Sequence, residues 1–120
     1  MEKLIAWVEI PTENFERALT FYNSVFDFDL QTIDCGGESK MACFPGGEGA
    51  VIYEPGYKPS QNGVVVSLNT GNKLDQVMQK ISMNGGKILR PKTKIEVEGR
   101  GYFSVCLDCE GNRIGLYGDN

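Results

Sequence analysis

The sequence predicts an α+β fold in which two βαβββ repeats form a cupped mixed β-sheet with the helices on the outside. Three observations carry that expectation. The order of a strand, an amphipathic helix and further strands occurs twice, over about residues 1–55 and 64–120. Each half closes on a hairpin phrase: Met41 to Phe44, the turn Pro45-Gly46-Gly47-Glu48-Gly49 and Ala50 to Tyr53 in the first; Tyr102 to Leu107, the turn Asp108-Cys109-Glu110-Gly111-Asn112 and Arg113 to Tyr117 in the second. Between them, the stretch Pro55-Gly56-Tyr57-Lys58-Pro59-Ser60-Gln61-Asn62-Gly63 holds two prolines and two glycines and resists regular structure. The whole is read as one domain with a linker at about 55–63.

The elements follow in order. Leu4 to Ile10 reads as a strand with Val8 and Ile10 on one face and Ile5, Trp7 and Glu9 on the other; Pro11 ends it. Thr12 or Asn14 can cap the next helix, whose stripe is Phe15, Ala18, Leu19, Tyr22, Val25 and Phe26. Phe28 to Ile33 reads as a short strand, Cys35-Gly36-Gly37-Glu38 as a turn, and Lys40 to Phe44 and Ala50 to Glu54 as a hairpin. In the second half Val64 to Asn69 is a strand. Asn72 caps a helix with the stripe Leu74, Val77, Met78 and Ile81, and Asn84-Gly85-Gly86 stops it. Lys87 to Arg90 is a strand, Pro91 to Arg100 a long loop, and the last hairpin follows, with Gly111-Asn112 supplying the positive φ of a tight turn.

Composition narrows the function. The 120 residues suit one domain with a modest core, and the balance of 41% hydrophobic and 23% charged residues is that of a globular protein. A net charge of −4 without a basic stripe argues against nucleic-acid binding. No apolar run approaches a membrane span and the N-terminus leads into a strand, so the expected location is cytoplasmic, with no membrane partner. The chain has no histidine, which removes the commonest general base and transition-metal ligand. Cys106-x-x-Cys109 has metal-like spacing, but it falls on a strand and a turn. A redox CxxC opens a helix, and a zinc site would also need Cys35 and Cys43 to converge. No cofactor or metal is expected.

Several phrases carry a family resemblance. They are Trp7-Val8-Glu9-Ile10-Pro11, Asn14-Phe15-Glu16-Arg17-Ala18 with Phe21-Tyr22, Asn84-Gly85-Gly86-Lys87 with Pro91-Lys92-Thr93, and Gly101-Tyr102-Phe103 running into Asp108-x-Glu110-Gly111-Asn112-Arg113-Ile114-Gly115-Leu116. With these the chain resembles the vicinal oxygen chelate superfamily, which includes glyoxalase I, bleomycin-resistance proteins and extradiol dioxygenases. The nearest branch is that of predicted enzymes related to lactoylglutathione lyase. Metal-using members carry a His on the first strand of a half and a Glu on its last. The corresponding positions here are Trp7, Val65, Gly115, and Tyr53 or Glu54. At most one is a carboxylate, which is too few donors for a divalent ion. The resemblance also implies a small-molecule ligand and a two-fold homodimer.

The expected ligand-binding residues are Trp7, Glu9, Tyr53, Val65, Ser67, Tyr102, Ser104, Arg113, Gly115 and Tyr117. Trp7 is either packing between the halves or a stacking platform. Glu9 is either ion-paired, with Arg113 the candidate, or bound to ligand. Phe103, Val105 and Leu107 are expected to pack on the helix and Tyr102, Ser104 and Cys106 to face the cleft, with Gly115 leaving space where relatives hold a ligand. Phe15, Phe21, Tyr22 and Phe26 read as core, and Lys87, Arg90, Lys92 and Lys94 as solvated surface. The leading expectation is a metal-free small-molecule-binding protein with an aromatic-lined cleft. Rivals are a lyase- or isomerase-type enzyme using Glu9 as general base on a small carbonyl-type substrate, and an interaction module whose cleft its own side chains fill.

Overall fold

The computed structural model describes residues 2–120. The element order is β1 (Val8–Pro11), α1 (Phe15–Phe26), β2 (Ile33–Asp34), β3 (Lys40–Cys43), β4 (Gly49–Tyr53), β5 (Val66–Asn69), α2 (Leu74–Met83), β6 (Lys87–Lys94), β7 (Tyr102–Leu107) and β8 (Arg113–Gly118). Two four-stranded sheets result, in the orders β1-β4-β3-β2 and β5-β8-β7-β6. In each, the first strand lies parallel to the last and the other pairings are antiparallel. The expected βαβββ doubling is therefore the observed architecture.

Local chemistry accounts for the element ends. Asn14 caps α1, its side chain accepting from the Arg17 N–H at 3.1 Å, and Asp27 closes the helix in the left-handed region at φ 56°. Gly85 at φ 96° lets the chain turn out of α2. The cap of α2 differs from expectation: Lys73, not Asn72, takes the cap position, without a side-chain bond. The strand expected over Phe28 to Ile33 is reduced to Ile33–Asp34. The Asn23 side chain holds the Leu30 backbone instead, which keeps this stretch packed on the helix end. The loop expected from Pro91 is the continuation of β6, which passes the proline by two register shifts against β7. On the edge of a sheet, a residue without an N–H is tolerated.

The core lies between each sheet and its helix. Ile10, Ala42 and Val51 meet Phe15, Ala18, Tyr22 and Val25 in the first half; Cys106, Ile114 and Leu116 meet Leu74, Val77 and Ile81 in the second. Ile10 is buried and Val8 half-buried on the helix side, as the strand phase requires. An internal symmetry fixes how the halves correspond. The buried Thr12 hydroxyl donates to the Ile52 carbonyl at 2.9 Å, and Thr70 donates to the Tyr117 carbonyl at 2.9 Å. Glu9 pairs with Ala50 as Ser67 pairs with Gly115. Ile52 is thus the counterpart of Tyr117, and Ala50 that of Gly115.

The closing turn joins the halves. Asp108 and Asn112 are buried. The Asp108 carboxylate accepts from the Glu110 and Asn112 N–H groups at 2.8 and 2.9 Å, from Asn112 Nδ2 at 3.0 Å, and from the Tyr22 hydroxyl of α1 at 2.6 Å. Asn112 Nδ2 also donates to the Pro11 carbonyl. Glu110 reaches the start of α1: the Glu13 and Asn14 N–H groups donate to Oε1 at 2.7 and 2.8 Å, and Arg17 Nε donates to Oε2 at 2.6 Å. A carboxylate at unpaired helix N–H groups is favoured by hydrogen bonding and by the helix dipole. The phrase Asp-x-Glu-Gly-Asn is a clamp between the repeats.

Candidate functional site between the two repeats

Pairing register assigns every strand residue to a face, since directly paired residues share one. In the first sheet the face away from α1 carries Glu9, Ala50 and Cys43, then Pro11, Ile52 and Met41. Trp7, two residues before Glu9 and half-exposed at 41%, donates its indole N–H to Glu9 Oε2 at 3.3 Å. In the second sheet the face away from α2 carries Ser67, Gly115 and Val105, then Asn69, Tyr117 and Phe103, then Arg113 and Leu107.

This corrects three of the expected site residues. Tyr53 pairs with Lys40 and lies on the helix side, packed against the core. Tyr102 and Ser104 also face α2. Ser104 is buried and donates to the Arg90 carbonyl at 2.7 Å, while Tyr102 packs on the core beneath Lys92, which reaches Asp75 of α2. The more apolar set, Phe103, Val105 and Leu107, faces the cleft instead. Apolar character alone does not decide which face of β7 meets the helix. The small, buried Cys106 and Ser104 are what the close approach of α2 admits, and the larger side chains go to the open side.

Gly115 does not leave empty space. A Cβ there would collide with the Ser67 hydroxyl, which lies over the glycine. Val65 precedes β5 and is exposed. Ser67, Arg113 and Tyr117 are on the expected face, and the Tyr117 hydroxyl accepts from the Gly101 N–H at 3.1 Å.

The halves meet where α1 packs beside α2, and two cavities lie between the edge strands β1 and β5. Val8 and Val66 line both. The smaller, about 340 Å³, is bounded by Glu9, Ile10, Arg113 and the linker residues Tyr57, Lys58 and Ser60. Glu9 and Arg113 thus share a cavity, but the expected ion pair is not formed: among the described residues no salt bridge involves either. The larger cavity, about 800 Å³, is walled by Ile5, Val8, Phe26, Phe28, Phe44 and Leu68. Both volumes fall in the range of small-molecule sites. Sequence reading missed the phenylalanine wall because Phe26, at the end of the α1 stripe, is indistinguishable there from core.

The four thiols do not converge. Among the described residues no three His, Cys, Asp or Glu side chains form a cation cage. Burial, with Asp108 nearby, pushes the thiols of Cys106 and Cys109 up to about 12.

A family model for the Glyoxalase/Bleomycin resistance protein/Dioxygenase superfamily matches residues 4–116. The chain belongs to this superfamily. No curated protein matches its sequence. Solved structures of low identity share its fold. One is a glyoxalase/bleomycin resistance protein/dioxygenase family enzyme from Burkholderia phytofirmans (15% identity, TM-score 0.68, 97% of this chain and 98% of that one). The fosfomycin resistance protein FosX from Listeria monocytogenes has 12% identity and a TM-score of 0.70, over 100% and 96%. A glyoxalase I mutant from Zea mays has 19% identity and a TM-score of 0.70, over 95% of this chain and 46% of that one.

The metal site used by members of the superfamily does not fit these residues. With Ala50 as the counterpart of Gly115, the four positions are Trp7, Ala50, Val65 and Gly115, and the Ser67 hydroxyl covers Gly115. None of the four offers a carboxylate, imidazole or thiolate. The correction from Tyr53 or Glu54 to Ala50 removes the last carboxylate from the set.

Proposed function

We propose that this member of the glyoxalase/bleomycin resistance superfamily binds a small organic molecule between its two repeats, without a metal. The observation that carries the reading is the cavity shared by Glu9 and Arg113. Two opposite charges line it, and among the described residues neither forms an ion pair. Charged side chains held at one cavity are available to a ligand's polar groups. Trp7 stands beside them, hydrogen-bonded to Glu9 and exposed enough to stack on a flat ring.

The open volume argues against a module whose cleft is filled by its own side chains. Two copies pair by two-fold symmetry in this reading, through the exposed Leu4, Ile5, Val64 and Val65 near the seam.

Thermal-shift screening against a panel of metabolites and antibiotics tests the proposal. At least one planar ligand raises Tm, and Glu9→Ala or Arg113→Ala weakens its binding while leaving the unliganded Tm nearly unchanged. A panel without a single shift, or hits whose affinity ignores both substitutions, would contradict it.

A further inference from the structure

The second repeat turns three cations and no carboxylate toward the open side of its sheet. Lys87 pairs with Leu107, which pairs with Arg113; Arg90 pairs with Val105, which pairs with Gly115. These residues share the face away from α2. The other strand residues on it are Ser67, Thr93, Phe103, Asn69 and Tyr117. In a chain of net charge −4, a sheet face bearing only positive charge is a local reversal of sign.

The bulge in β6 produces it. Without the register shift between Ile88 and Arg90, strict alternation from Lys87 would turn Arg90 toward α2. The shift turns Arg90 to the open side, where its guanidinium lies 5.0 Å from the centre of the Phe103 ring. A second shift, between Arg90 and Thr93, restores the original alternation, so Lys92 and Lys94 are on the other face: Lys94 pairs with Tyr102, and Lys92 is neutralised by Asp75. The basic cluster of the sequence is thus split, one part tied to α2 and the other turned to the open face. Among the described residues no salt bridge includes Lys87, Arg90 or Arg113.

We infer that this face recognises the anionic group of a small organic ligand whose flat body lies against Phe103 and Tyr117. The inference rests on the small-molecule reading above and names the ligand's chemistry. Two strand spacings and one pair step separate the Cα atoms of Arg90 and Arg113 by about 12 Å, so side chains of about 6–7 Å can meet on one carboxylate or phosphate. Guanidinium forks match the planar or tetrahedral oxygens of such groups. In this structure Arg90 lies over Phe103, one pair step to the side of Val105 away from Arg113, so meeting an anion beside Arg113 takes it off the ring and frees that face for the ligand's flat body. Lys58, lining the same cavity as Arg113, adds charge at the seam.

Calorimetric titration with four naphthalene probes tests this. 2-Naphthoate and 2-naphthyl phosphate present the two anion types, 2-naphthamide is neutral, and 2-naphthylmethylammonium is cationic. The anions bind at least about tenfold more tightly than the amide, and the cation binds least. Arg90→Gln and Arg113→Gln each lower anion affinity by about tenfold or more, while Lys94→Gln, on the helix face, leaves it unchanged. The ratio between the two anions reports which group the face prefers. Equal binding of amide and anions, or anion affinity indifferent to Arg90→Gln, overturns the inference, and the small-molecule reading stands where Glu9→Ala or Arg113→Gln still weakens binding. Failure of all four probes to bind at millimolar concentration counts against both.

Discussion

Replacing Glu110 by alanine should loosen the joint between the repeats. Its side chain is fully buried at the contact. It accepts from two backbone N–H groups, those of Glu13 and Asn14, besides Arg17. Each backbone bond to a charged acceptor is worth about 1.5–3 kcal/mol. Glu13 and Asn14 are exposed residues, so water recovers part of what is lost once the carboxylate is gone. The expected loss is about 2–4 kcal/mol. A domain of this length has an unfolding entropy near 0.25 kcal/mol/K, so Tm falls by roughly 8–16 °C. Glu110→Gln, which keeps one acceptor and loses the charge, should fall about half as far. Glu98→Ala, at an exposed position, should stay within about 2 °C. Differential scanning calorimetry gives the comparison. A drop below about 2 °C for Glu110→Ala would show that the turn does not clamp the halves.

Other outcomes follow from the same contacts. Ile10→Ala, deleting a core side chain, should destabilise by about 2–5 kcal/mol in denaturant titrations, and Glu9→Ala by under about 1 kcal/mol; the reverse ranking would mean that the phase of β1 is misassigned. Burial with Asp108 nearby pushes the thiols of Cys106 and Cys109 above their ordinary range, up to about 12, and raises the Tyr22 hydroxyl too. Groups with raised folded-state pKa values ionise first in the unfolded chain, so their stabilisation is complete below pH 9 and is lost as pH climbs from 9 toward 12. Tm measured from pH 8 to 11 should decline, and less steeply in Cys106→Ala. Light scattering at micromolar concentration should return twice the chain mass, and Leu4→Ser with Val64→Ser should return the monomer.

Much of the fold was legible because it rests on periodicity. The α1 stripe and its Asn14 cap, the alternation of Val8 and Ile10, and the final hairpin are all written locally. The site was less legible. Which face of β7 meets α2 depends on how closely the helix approaches, and the buried Cys106 and Ser104 show that size, not polarity, decided it. Tyr53 was misplaced because the correspondence between halves is set by the Thr12 and Thr70 hydroxyls, which no hydrophobic pattern displays. Arg90 reaches the open face through one register shift, and a second shift before Thr93 restores the alternation, so no period-two pattern displays it. The clamp is long-range: Glu110 and Asp108 look like ordinary turn residues until α1 is folded against them.

Trp7 is the chain's single tryptophan and donates to Glu9, so its fluorescence reports changes around that carboxylate. The most direct test is a fluorescence titration of chelator-treated protein with the best planar ligand from the screen, repeated with added zinc, manganese or nickel. The account predicts saturable quenching with the same dissociation constant in every case. Binding that appears only when a divalent metal is added would contradict it.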